Sequence, residues 1–201
     1  MEYAYSRMCR DAGINIPYTE LRSFDKATHF LIKRFDRLEG EKVHMQSLRA
    51  MTGEAHSYEE AFDVIEKLRL DYEDREQLFR RMVFNVTGGN IDDHDKNISF
   101  LMDKSGRWSL APAYDVVYSI DPDTLYAQKG QFMSINGKNQ GITRGDLITV
   151  ARHYGVNRPE RIIEQVMDIV SRVDDYLRQD GVGESARKVI LSELNEKHAE
   201  L

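Results

Sequence analysis

The stretch Gly88-Gly89-Asn90-Ile91-Asp92-Asp93-His94-Asp95-Lys96-Asn97 divides two segments of opposite periodicity, and the rest of the chain is read outward from it. Upstream, Leu78, Phe79, Met82, Val83 and Val86 share one face of a helix that begins near Tyr72. The paired glycines must stop that helix. Downstream, Ile98–Met102 and Trp108–Leu110 flank Asp103-Lys104-Ser105-Gly106, the pattern of a short hairpin. Between helix and hairpin stand three aspartates, a histidine, a lysine and two asparagines, a poor choice for a core. A loop held between rigid elements can place catalytic groups accurately. By composition alone, a solvated acidic turn is the alternative.

Spacing favours chemistry. Asp92 and Asn97 stand as the base and the metal-binding Asn stand in the protein-kinase loop H-R-D-x-x-x-x-N. One carboxylate must take a proton from the attacking hydroxyl. A side-chain amide oxygen must hold Mg²⁺ on the phosphates without adding negative charge, and a second carboxylate must reach the metal from elsewhere. Leu110-Ala111-Pro112-Ala113-Tyr114-Asp115 follows the hairpin, which leads away from the loop and returns beside it. Asp115 is therefore expected to face Asn97.

Further out, Met1, Tyr5, Met8, Cys9 and Ala12 recur at helical spacing ahead of Gly13. Cys9 on that stripe reads as a buried small hydrophobe. Pro17 breaks the chain before two expected strands, Thr19–Ser23 and His29–Phe35, and Asp36–Lys42 reads as a loop. Helix signals dominate from Val43. Ser57 and Glu60 form a capping box for a helix reaching Leu68. Asn136-Gly137 marks a second hairpin after Phe132–Ile135. Thr143 and Asp146 cap a helix to Tyr154, and Pro159 opens one whose core positions run from Ile162 to Leu177. Gly181 and Gly183 end it, before an amphipathic helix carrying Ala186, Val189, Ile190 and Leu194. The fold class is α+β, predominantly helical.

The 201 residues make one ordinary domain, and a single cysteine excludes a disulfide within the chain. No apolar run approaches the roughly 18–20 residues of a membrane span, and no secretory signal opens the sequence. A net charge of −6 argues against non-specific nucleic-acid binding. The expected setting is cytoplasmic, with no membrane and no direct nucleic-acid partner.

Gly89–Phe100 and Leu110–Asp115 together strongly resemble the C-terminal domain of HipA-type toxin serine/threonine kinases. The likeness reaches upstream through Leu31–Arg37, Gly13–Pro17 and Glu2, and downstream to about Tyr176. It implies a protein-kinase-like C-terminal lobe with small β-hairpins, residues 1–37 forming the interlobe helix and strands and 38–201 the helical lobe. By the same likeness, Asp92 is the catalytic base toward a substrate hydroxyl, and Asn97 and Asp115 bind Mg²⁺. His94, Asp95, Lys96 and Asn97 line the ATP phosphates. Lys96 is either a counter-charge for the γ-phosphoryl or a partner of Asp93 or Asp95. Lys33, Arg34 and Phe35 meet the adenine, and Tyr114 joins the ATP site beside Asp115. Bland readings stand beside these: His94 as an orienter of the loop, Lys33 and Arg34 as solvated charges, Asp93 as structural or exposed, and Phe100 and Trp108 as core. Family members phosphorylate proteins, aminoacyl-tRNA synthetases among them, and are held by a HipB-type antitoxin.

That family also carries an N-terminal lobe with a glycine-rich phosphate loop. The single G-x-G-x-x-[GA] match, Gly181–Ala186, lies between helices and fails the strand-to-helix test. The expectation is weak activity or none without a separately encoded N-terminal lobe. Two other classes compete. Asp146–Arg161, with Ala151 and Gly155 at a turn, has the spacing of a helix-turn-helix DNA-binding regulator, opposed by Glu160, Glu164 and Asp168. A metal-dependent phosphohydrolase would use Asp92, Asp93, His94 and Asp115 but lacks a second His-Asp cluster.

Overall fold

One central helix explains most of the architecture. In the computed structural model, which describes residues 1–25, 27–120, 130–198 and 201, α4 spans Tyr72–Thr87. From Arg81 to Thr87 every residue is buried, so its last two turns are enclosed on all sides. Around it pack α3 (Tyr58–Lys67), α6 (Pro159–Ser171) and α8 (Glu184–His198). The helix α1 (Glu2–Asp11) lies against α6 and α7 (Val173–Gln179), with Tyr5, Met8 and Cys9 fully buried. Short α2 (Leu48–Thr52) and α5 (Arg144–His153) complete the helices among the described residues. None is long and apolar enough to cross a membrane.

The strands are small and antiparallel. β1 (Thr19–Phe24) pairs with β2 (Ala27–Ile32), and β3 (Arg37–Leu38) with β4 (Glu41–Lys42). A three-stranded sheet has the order β5 (His44–Ser47), β6 (Ser99–Met102), β7 (Trp108–Leu110), with Gln46 opposite Phe100 and Phe100 opposite Leu110. Phe100 is core and Trp108 packs against it. This sheet and α4 hold the two ends of the Gly88–Asn97 loop.

Several expectations need correction. The second strand ends at Ile32, not Phe35; its last ladder bond runs from the Lys33 amide to the Tyr18 carbonyl, directly after Pro17. Asp36–Lys42 contains a two-residue hairpin, turning where Glu39 and Gly40 have φ of 51° and 85°. A strand, β5, precedes the first helix after Val43 and is stabilised by pairing with β6. The helix from Pro159 breaks at Arg172, where the Ser171 hydroxyl donates to the Asp168 carbonyl. Apolar spacing continues through that one-residue break, so periodicity could not reveal it. In the last helix, Ile190 and Leu194 are buried while Ala186 and Val189 are exposed.

Asn136 and Gly137 do form a tight turn with φ of 52° and 73°, closed by a bridge from Ile135 to Lys138. Among the described residues, no strand pair extends from it. Phe132 and Ser134 instead donate backbone bonds to Ile91 and His56. Finally, α5 and α6 pack on each other, and the exposed face of α6 carries Arg161, Glu164, Gln165 and Asp168. The inner face of α6, including Ile162, Ile163 and Val166, is buried against α4 and α1.

Candidate functional site

Gly88 and Gly89 deliver the chain from α4 into the loop. Gly89 has φ of 71°, and a Cβ there would stand 2.9 Å from Leu194 and 3.0 Å from Tyr118. Both the backbone conformation and the space select glycine. The Tyr5 hydroxyl donates to the Gly88 carbonyl at 2.8 Å, tying the exit of α4 to α1.

The loop is anchored by two buried carboxylates. Asp95 is fully buried and accepts from Arg49 Nε at 3.1 Å to each oxygen, and from the Ala55 amide. Asp93 accepts from the Tyr58 hydroxyl at 2.7 Å, Gln131 Nε2 at 3.0 Å, and the amides of Phe132 and Met133. Burial pushes the Asp93 carboxyl up to about 6, against the pull of those four donors. Asn85 Nδ2 donates to the same Tyr58 oxygen, and Asn90 Nδ2 to Asn85 Oδ1. Asp93 is thus a buried structural carboxylate.

With these two inside, the intervening residues face outward. Asp92 is exposed, and its carboxylate has no partner among the described residues. Its position is set by its main chain. The amide donates to Ser119 Oγ at 3.1 Å, and the carbonyl accepts from Asn97 Nδ2 at 3.2 Å. That second bond fixes which way the Asn97 amide points, leaving Oδ1 available for another contact. The Asn97 N–H donates to the His94 carbonyl at 2.8 Å, closing a tight turn. Lys96 is exposed and pairs with neither Asp93 nor Asp95. His94 Nδ1 is buried without a partner among the described residues, and its ring lies edge-on to Phe132 at 5.7 Å.

Asn97 and Asp115 line one cleft, with Asp93, Asn90 and Arg81 behind them. Asp115 is exposed with φ of 56°, a left-handed conformation that non-glycine residues adopt at some cost. Its predecessor Tyr114 donates to the Lys96 carbonyl and shares a hydrogen bond with Ser99. This bond is what brings the segment after the hairpin back to the loop. Arg81 is buried, with Nη2 donating to the Ala111 carbonyl at 2.6 Å, and burial lowers its guanidinium to about 10. Among the described residues, no three His, Cys, Asp or Glu side chains gather at metal distance. The cleft thus offers the oxygens of Asn97 and Asp115 and no closed protein cage among the described residues.

The interlobe residues are only partly drawn in. The Phe35 ring packs on Tyr114, centroids 5.6 Å apart. Arg34 forks onto Asp36 at 2.9 and 2.7 Å, and that hydrogen-bonded pairing holds the Asp36 carboxyl down at about 2. Lys33 is exposed, and its amide donates to the Tyr18 carbonyl. Sequence reasoning missed Ser119, Tyr58, Gln131 and Arg49. Each lies far from the loop in sequence and carries no motif; only the fold brings them in.

The sequence profile of the HipA-like C-terminal domain matches residues 1–175. The serine/threonine-protein kinase toxin HipA of Shewanella oneidensis is 24% identical over 211 aligned positions, which cover 83% of this chain and 48% of that protein. The chain spans about half the length of the curated relatives it matches. Among solved structures, a complex of S. oneidensis HipA, HipB and operator DNA has a chain that superposes with a TM-score of 0.72 at 18% identity. The match covers 99% of this chain and 54% of that one. The Helicobacter pylori proinflammatory kinase CtkA gives 0.68 at 14% identity, covering 100% and 82%.

Proposed function

We propose, from the premise that this chain belongs to the HipA-like C-terminal domain family, that it is the catalytic lobe of a toxin-type serine/threonine protein kinase. The observation that carries the reading is the bond from Asn97 to the Asp92 carbonyl, with Asp115 lining the same cleft as Asn97. Asp92 is the general base: an exposed, unpartnered carboxylate can accept the proton of a serine or threonine hydroxyl. Asn97 Oδ1 and the Asp115 carboxylate would hold Mg²⁺. Mg²⁺ characteristically binds one or two carboxylates together with substrate phosphates. When bound, Mg-ATP supplies the phosphoryl group and the metal offsets its charge.

The remaining residues position and neutralise. Lys96, without an ion-pair partner among the described residues, offers a cation for phosphate oxygens, and His94 a ring nitrogen or a brace for the loop. Asp95 serves the phosphate site from behind, by fixing the loop through Arg49. Lys33, Arg34 and Phe35 meet the adenine, a role supported by the contact of Phe35 with Tyr114.

The partners follow from the family. The proposed partners are a protein substrate, for which the family suggests the aminoacyl-tRNA synthetase class, and a HipB-type antitoxin like the one in the S. oneidensis complex; a kinase N-terminal lobe is the partner the activity would need. The reading sets the protein in the cytoplasm, without membrane or direct nucleic-acid contact. The phosphohydrolase alternative is weakened because the Asp93 carboxylate is already held by four donors. The DNA-binding alternative is weakened by the carboxylates of Glu164 and Asp168 on the exposed face of α6.

A phosphotransfer assay with labelled Mg-ATP tests the proposal, using the chain alone and with an N-terminal kinase lobe added in trans. Transfer is expected to be weak alone, restored by the lobe, and reduced at least about 10²-fold by Asp92→Asn. Transfer that survives Asp92→Asn contradicts the assignment of the base.

A further inference from the structure

We infer that Ser119 is a positioning residue for Asp92, an inference that rests on the kinase reading of that loop. Ser119 lies 27 positions beyond Asp92, in the segment after Asp115, yet it makes four bonds to the start of the loop. Its Oγ accepts from the Ile91 amide at 2.9 Å and the Asp92 amide at 3.1 Å. The same hydroxyl donates to Asn90 Oδ1 at 3.2 Å, and the Ser119 amide donates to the Gly89 carbonyl at 3.1 Å. Two acceptances and one donation use the full capacity of a hydroxyl. Rotation of the group is therefore blocked.

The consequence falls on Asp92 because its carboxylate has no partner of its own among the described residues. Its direction depends on a backbone held at two points, Ser119 on the amide side and Asn97 on the carbonyl side. Asn97 is the proposed metal ligand, so the Ser119–Asp92–Asn97 chain fixes base and metal site relative to each other. Removing the hydroxyl leaves two successive amides without an acceptor and frees one side of Asn90. Displacement of a reacting group by about 1 Å can cost about 10²-fold in rate, so a link that controls this geometry matters to catalysis.

The segment after Asp115 thus grips the loop twice. Ser119 holds Asp92 on one side, and Gln131, Phe132 and Met133 hold Asp93 on the other. Asp93, Tyr58, Gln131 and Met133 are buried and act on the loop as a whole. Ser119 touches the amide of the candidate base itself.

Two NMR measurements on the whole chain, as Ser119→Ala and Ser119→Thr, decide the matter. Hydrogen exchange at the Ile91 and Asp92 amides is expected to quicken about tenfold or more in Ser119→Ala and to recover in Ser119→Thr, with α4 unchanged. Mn²⁺, added alone as the probe, is expected to broaden signals of Asp92, Asn97 and Asp115 in the unaltered chain. In Ser119→Ala the broadening at Asp92 falls about twofold or more while Asn97 and Asp115 keep theirs. Unchanged exchange overturns the inference. Faster exchange with undiminished broadening at Asp92 also overturns it, because Ser119 would then be a structural link only. A lack of broadening at Asn97 and Asp115 in the unaltered chain is a separate failure, of the kinase reading, and removes the positioning role with it.

Discussion

Adjacent aspartates in the loop have opposite surroundings, and that contrast separates the buried anchor from the exposed side chain proposed as the base. Asp93 is buried and accepts four hydrogen bonds, whereas Asp92 is exposed. Truncating Asp93 to alanine strands four donors, among them Tyr58 and Gln131, so a loss of about 3 kcal/mol is expected in urea unfolding. Burial raises the folded Asp93 carboxyl to about 6 from an ordinary 3.8. Between those values the folded state holds a proton that the unfolded chain has released. This group therefore makes stability fall as pH rises from 4 to 6, and its effect levels off above that. Asp146 acts in the opposite direction. Burial works to raise it, but bonds from Lys138, Asn136 and Thr143 outweigh that and hold it well below its usual range. Its contribution is present above the unfolded value and is lost as pH falls through the folded one. Unfolding curves of Asp93→Asn from pH 4 to 7 should lose the downward component between 4 and 6; an unchanged slope would mean Asp93 is not its source.

At the scale of elements, two helices begin with the same capping box but lean on it differently. For α3, Ser57 Oγ accepts from the Glu60 amide, and Glu60 Oε2 accepts from the Ser57 and His56 amides. For α5, Thr143 and Asp146 exchange the equivalent bonds, and Asp146 also holds Asn136 and Lys138. Replacing Ser57 with alanine is expected to cost about 1 kcal/mol. Asp146→Ala is expected to cost more, about 2–3 kcal/mol, since the Asn136–Gly137 turn loses its anchor as well. Chemical denaturation of the two variants checks the order. Both boxes were legible in the sequence because capping is local. The hairpin expected around Asn136-Gly137 was only half legible: turn geometry is local, but Phe132 and Ser134 pair with Ile91 and His56, far away in sequence.

At the scale of the molecule, the polar loop between α4 and β6 was readable because the residue types that suggest its proposed chemistry lie together in sequence. Its supports were not. Ser119, Tyr58, Gln131 and Arg49 meet the loop only after α3, α4 and the segment beyond Asp115 have packed, and no periodicity announces that. The same reasoning separates activity from fold. The core is built within this chain, so the lone polypeptide is expected to unfold cooperatively, which coincident circular-dichroism and fluorescence transitions would check. Phosphoryl transfer depends on positioning and charge supplied from both sides of the nucleotide, and this chain spans about half of its curated relatives. The most direct measurement of the central claim is a crystal structure of the chain with Mn²⁺ and a non-hydrolysable ATP analogue. The account predicts an anomalous peak about 2.0–2.2 Å from Asn97 Oδ1 and an Asp115 oxygen, with the Asp92 carboxylate facing the γ-phosphoryl. A nucleotide bound elsewhere, or Asp92 and Asp115 turned to opposite sides of the molecule, would contradict it.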